Sequence, residues 1–441
     1  MNLLRAQFQR KFLFRCAAVI LAGSVILAAC TAPPSATTQI QPTASGTKTV
    51  TSDPTKTILS QVSPSRVTTN SISQPTNPPP NVTGTPTPAK VDIGNEPLRG
   101  SSCLSKDTGE LVPTPINSNI RATRTPMPSP IPTKANGLSS LSARAGFGMA
   151  NYSDPEFWAT SLGAGWFISW RVLGRSPKQI PEHWQTIQVG KGCIYPSLNF
   201  IRWEAAKYPG NVWIVGNEPD VIWQDNVLPE EYAHLYHDAY QAIKNADPSS
   251  KVAVGAISQA TPLRLAYLDR VLTEYRTKYG SAMPADWWTI HGYVLREQRN
   301  SWGVDIPPGF TEEKGMLWEV SDHGRLDLFK DLIIGFRKWM ADHGYQNTPL
   351  ALTEFGILMP PDYGYPLDQV AKYMQDTFHW LQNTQDLATG YPGDDHQLVQ
   401  RWAWFSLNYD LYPAPNLADL KTNQLTLLGK TFRDYVLSFN P

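Results

Sequence analysis

Two segments 136 residues apart each end in a glutamate beside a turn residue: Val212-Trp213-Ile214-Val215-Gly216-Asn217-Glu218-Pro219 and Leu350-Ala351-Leu352-Thr353-Glu354-Phe355-Gly356. Each apolar run is long enough to be a buried strand. Two carboxylates fixed at the ends of two strands suit cleavage of a glycosidic bond. One protonates the departing oxygen, while the other attacks the sugar carbon or activates water. The carboxyl end of a strand is also where parallel barrels build their sites.

The remaining chain must hold those two ends together. Strands are expected at 145–150, 165–172, 186–189, 211–216, 251–257, 287–293, 349–354 and 400–407. Several are continuous Val/Ile/Trp runs, as parallel strands buried on both faces require. The third is the weakest, because Gly190, Gly192 and Pro196 interrupt it. Helical spacing of apolar residues marks 229–246, 262–279 (with Thr261 as its N-cap), 325–343, 367–384 and 425–437. Alternating strands and helices predict one (β/α)₈ TIM barrel of the α/β class over 141–441.

Aromatic residues set the limit of that barrel. None lies between Phe14 and Phe147 in a chain of 441 residues, so the stretch between them cannot bury much apolar surface. Residues 1–29 read as a processing signal: a basic region with Arg5, Arg10, Lys11 and Arg15, then an apolar run from Ala17 to Ala29 too short to span a bilayer. Leu27-Ala28-Ala29-Cys30 resembles the bacterial lipoprotein signal box, which implies cleavage before Cys30 and a lipid on its sulfur. The alternative is an ordinary secretory signal. In Thr31 to Lys90, 34 of 60 residues are Ser, Thr or Pro, the composition of a disordered tether. Residues 30–140 are therefore expected to hold a catalytic head off the membrane of an exporting bacterium. In that compartment Cys103 and Cys193 can pair or remain free thiols. The 38 basic and 38 acidic residues cancel, leaving no electrostatic footprint for nucleic acid. No nucleotide-binding glycine loop, HExxH or CxxC motif is present, so neither a cofactor nor a metal is expected.

The order of these strand ends resembles glycoside hydrolase clan A, the retaining barrel glycosidases with one glutamate after strand four and one after strand seven. The phrases around Glu354 and Trp404 look most like the small endo-β-1,3-glucanases of that clan. The resemblance implies that Glu218 is the acid/base, Glu354 the nucleophile and Asn217 a ligand for the sugar 2-hydroxyl. It requires Glu218 to hold a proton near neutral pH and Glu354 to stay ionised. His291 and Tyr293, on one face of the sixth strand by alternation, are placed to support Glu354. On the eighth strand Trp404, sharing a face with Trp402, is expected to floor the sugar site. Arg171, which with Trp170 ends the second strand, is expected near the nucleophile. Asp220 binds sugar or caps its loop.

The tripeptide itself is weak. Asn95-Glu96-Pro97 repeats it in the proline-rich stretch with no comparable strand before it, so strand context carries the inference. Two other readings remain open: a catalytically silent carbohydrate-binding lipoprotein on the same barrel, and a solute-binding lipoprotein for a transporter, which needs two α/β lobes. The substrate expected is a polysaccharide or oligosaccharide, and the protein is expected to be a monomer.

Overall fold

The computed structural model describes residues 140–438. The expected signal segment, Cys30 and the tether lie outside them. Strands and helices alternate along the described residues. A short helix α1 (Leu141–Arg144) leads into β1 (Ala145–Gly148), α2 (Pro155–Leu162), β2 (Trp166–Ile168), β3 (Glu182–Gly190), β4 (Cys193–Tyr195) and α3 (Leu198–Lys207). Then come β5 (Val212–Val215), α4 (Pro229–Ala246), β6 (Lys251–Val254), α5 (Pro262–Tyr279) and β7 (Trp288–His291). The chain continues through α6 (Leu326–Asp342), β8 (Leu350–Phe355), α7 (Leu367–Asn383) and β9 (Arg401–Trp404). A small hairpin of β10 (Ala418–Asp419) and β11 (Gln424–Leu425), then α8 (Leu427–Ser438), follow.

Parallel pairing runs β6-β5-β3-β2-β1-β9-β8-β7. Bridges Ala253–Trp287 and Ile257–Ile290 bring β6 to β7 and close the ring. This is a (β/α)₈ barrel, and its single ring excludes the two-lobed arrangement. Strand β4 is extra; it folds back antiparallel on β3.

The third strand differs most from expectation. It spans nine residues, Glu182–Gly190, and the glycines that interrupt the pattern form the turn into β4. Cys193, on β4, is disulfide-bonded, with its partner outside the described residues. The long strand braces the loop after β2: Gln188 Nε2 donates to Trp170 O at 3.3 Å, and Leu173 N donates to Gln185 Oε1 at 2.7 Å.

Inside the barrel, Trp166 and Trp184 lie 4.8 Å apart between ring centroids, among small residues such as Ala253, Ala351 and Ala403. Gly146 makes this possible, since a Cβ there would sit 2.5 Å from the Trp166 ring. Arg401 lies over both indoles and pairs with Glu182 at 2.7 Å, filling the end of the barrel where the strands begin, away from their carboxyl ends. A larger core packs strands against helices. In α4 the Tyr232 hydroxyl donates to Val215 O and accepts from Gly255 N, both at 2.7 Å. One side chain thereby satisfies backbone groups where β5 and β6 end. Thr261 precedes α5 as expected but does not cap it; its hydroxyl donates to Glu297 at 2.6 Å.

Candidate active site

Glu218 follows β5 through a constrained turn. Gly216 has φ +93°, and Val189, Asp225 and Tyr232 leave little room for a side chain. Asn217 N donates to Asp225 Oδ2 at 2.6 Å, and Glu218 N to Ala256 O at 2.9 Å. Glu218 itself has φ +49°, a left-handed conformation unusual for a non-glycine residue and frequent at functional sites.

Glu354 reaches the same mouth by a different device. In β8, Leu350 and Leu352 face the helices and Ala351 faces the barrel interior. Strict alternation would send Glu354 outward. Register shifts in both neighbouring pairings, with β7 and with β9, fall at this end of β8. Phe355 therefore packs outward against Phe329, Phe378 and Trp404, and Glu354 turns inward.

His291 joins the pair. Its Nδ1 lies 2.9 Å from Glu218 Oε1, and its Nε2 makes a longer 3.4 Å approach to Glu354 Oε1. Tyr293, two residues on and on the same face, donates to Glu354 Oε2 at 3.1 Å. The indole N–H of Trp170 reaches Glu354 Oε1 at 2.8 Å and Asn217 Oδ1 at 3.1 Å. An open cleft lies over these groups, walled by Trp170, Trp223, Phe405, Tyr409 and Tyr412.

Burial is the main influence on Glu354 and raises its carboxyl. The His291 charge lowers it, Glu218 raises it again, and the Trp170 and Tyr293 hydrogen bonds lower it; the balance is about 7. Burial also lowers His291, but Glu354 and then Glu218 and Asp220 outweigh this, and the imidazole is raised overall. Burial thus opposes the ionised state expected of Glu354, while His291, Trp170 and Tyr293 favour it.

A stability effect follows from the sign of that shift. The folded carboxyl sits above its ordinary value of 4.5, so folding favours the protonated form. That contribution is complete below about pH 4.5 and lost as pH rises through about 7. Glu354→Gln removes the ionisation and should stabilise the protein by on the order of 3 kcal/mol at pH 8. Near pH 4 it should change little. Thermal melts of both proteins at the two pH values test this; an equal Tm difference at both would contradict it.

Two expected residues, Trp404 and Asp220, are absent from the cleft, and a third, Arg171, lines it without a hydrogen bond to Glu354. Trp404 is fully buried among Phe355 and Phe378, with its Nε1 donating to Pro415 O at 2.9 Å, so it cannot floor a sugar site. Along β9 the residues facing inward are Arg401 and Ala403, and the next in that series, Phe405, reaches the cleft. Asp220 is also fully buried and held by Arg264 and the Ser258 hydroxyl, so it ties the loop internally. Arg171 stands exposed at the cleft wall, and the group from its loop that touches Glu354 is Trp170. Extending the β9 alternation by one step would have found Phe405. Trp170 carried no comparable signal, since its approach depends on a left-handed φ of +54°.

No family model and no curated protein matches this chain. Among solved structures, a GH128 (subgroup II) endo-β-1,3-glucanase from Sorangium cellulosum is similar at 16% identity and TM-score 0.45, covering 66% of this chain and 98% of that one. A second subgroup II enzyme from Pseudomonas viridiflava has 18% identity and TM-score 0.45, covering 66% and 97%. A subgroup III curdlan-specific exo-β-1,3-glucanase from Blastomyces gilchristii has 18% identity and TM-score 0.44, covering 66% and 98%.

Proposed function

We propose that the chain is a glycoside hydrolase cleaving a β-glycan by double displacement. One observation carries this reading: two buried glutamates from different strands approach one imidazole beneath an open, aromatic-walled cleft. Glu354 attacks the anomeric carbon from above its two hydrogen-bond donors, Trp170 and Tyr293. Glu218 donates its proton to the departing oxygen, then takes one from the water that releases the glycosyl enzyme. His291 holds both carboxylates in register. The aromatic walls offer platforms for the C–H faces of sugars, and Asn217 presents its amide to a substrate hydroxyl.

The first substrate class to test is β-1,3-glucan, with xylan, other β-glucans and aryl glycosides beside it. Release of reducing ends by the full chain, abolished in Glu354→Gln, is expected. Binding of a glycan without turnover at any pH from 5 to 9 would favour a silent carbohydrate-binding barrel. We also propose that the head works outside the cell as a monomer on a lipid tether at Cys30, which the signal box supports. Fatty-acid labelling of the full chain, lost in Cys30→Ser, tests the anchor; equal labelling of both would refute it.

A further inference from the structure

Among the described residues, Trp170 is the one group that hydrogen-bonds both the proposed nucleophile and the amide beside the proposed acid/base. It follows β2 in a left-handed conformation, φ +54°, that a bulky side chain adopts only where its surroundings enforce it. Those surroundings are specific. Its carbonyl accepts from Gln188, its ring stands edge-on to Phe405 with centroids 5.6 Å apart, and a Cβ on Gly148 would lie 2.7 Å from its six-membered ring. The indole offers one hydrogen and no acceptor, so Asn217 must turn its oxygen toward it, and its amide nitrogen is the end left to donate.

We propose that Trp170 is the positioning residue of this site. Its single N–H, shared between Asn217 Oδ1 and Glu354 Oε1, locks the amide and the nucleophilic carboxylate into one unit and stabilises the carboxylate without supplying a charge. The inference rests on the proposed role of Glu354 and adds to it. A cation at this position would pull the carboxyl down much further than a neutral N–H does. The other groups facing Glu354 are His291 at the end of β7, Tyr293 just past it and Glu218 beyond β5. Asp220 acts on His291 from behind, Tyr412 faces Tyr293 from the loop after β9, and Arg171 stands at the cleft wall. Trp170, like Tyr293, is neutral, so its removal changes no charge and its effect can be separated from those of the ionisable groups.

The test compares wild type with Trp170→Phe and with a variant carrying 3-benzothienylalanine at 170, which keeps the bicyclic shape and replaces N–H by sulfur. Carbon-13 NMR of labelled glutamate side chains reports the Glu354 titration directly, without requiring activity. Both replacements should raise its midpoint by about one pH unit. The acid limb of kcat/KM on the responsive glycan should move with it. At the new optimum kcat should fall about 10- to 100-fold with little change in KM, because the bond matters most once charge shifts. An unmoved midpoint and pH limb in the isosteric variant would overturn the proposal while leaving hydrolysis intact. A shifted midpoint in a protein that hydrolyses nothing would support the clamp and sink the hydrolytic reading instead.

Discussion

Glu354→Gln should lower kcat/KM on its glycan by about 10⁴-fold or more. The substitution keeps the size and the acceptor for Trp170 and Tyr293, so the loss is chemical and the fold survives. Glu218→Gln should behave differently. Loss of a general acid costs about 10²- to 10⁴-fold on glycans, but much less in the first step on an aryl glycoside whose leaving group needs no proton. With that substrate Glu218→Gln should accumulate a glycosyl enzyme and release product slowly, while Glu354→Gln accumulates none. A burst from the Glu218 variant together with silence from the Glu354 variant assigns the two roles. The reverse pattern would exchange them.

Arg264→Met should cost about 3–5 kcal/mol at pH 7, because it strips the cation from a buried pair of carboxylates. Arg264, Asp220 and Glu297 have no exposed surface. Arg264 Nε donates to Glu297 Oε1 at 2.8 Å, Nη1 donates to the Asp220 carboxylate, and Nη2 reaches Val304 O and Asp305 O at 3.1 and 2.8 Å. Glu297 also accepts from Met316 N at 3.0 Å. Three pieces of the cleft frame therefore depend on one guanidinium: the turn after Glu218, the start of α5 and the long loop after β7. Burial already raises the Asp220 carboxyl, and Arg264 is the principal group lowering it. Without Arg264 the carboxyl rises further, so the deficit should shrink as pH falls and protonation removes the stranded charge. Calorimetry should show a Tm lower by roughly 6–20 °C at pH 7. A loss of less than about 1 kcal/mol would mean that the loops hold without it.

The barrel was legible because its strands are long apolar runs separated by helical patterns, and the two glutamates were legible because each ends such a run. Strand ends were harder to read. The strands expected at 211–216, 251–257 and 287–293 end at Val215, Val254 and His291, beyond which apolar extended chain continues with only an isolated bridge such as Ile257–Ile290. Parity was lost in two ways. Alternation along β9 was followed on the wrong face, which selected the core residue Trp404 instead of Phe405. On β8 the register shift moved Glu354 to the inner face, which a period of two cannot show. The roles of Trp170 and Arg264 depend on chain segments far apart in sequence: Trp170 meets Glu354 across 184 positions, and Arg264 meets Asp220 across 44. No local pattern contains either.

The central claim is that Glu354 becomes covalently attached to sugar. Wild-type and Glu218→Gln proteins incubated with a 2-deoxy-2-fluoro glycosyl donor, digested and mapped by mass spectrometry, test it most directly. One added glycosyl mass on the peptide containing Thr353-Glu354-Phe355, absent from Glu354→Gln, is the result predicted. Turnover of the natural glycan with no adduct on this peptide, and first-formed product of inverted anomeric configuration, would contradict it.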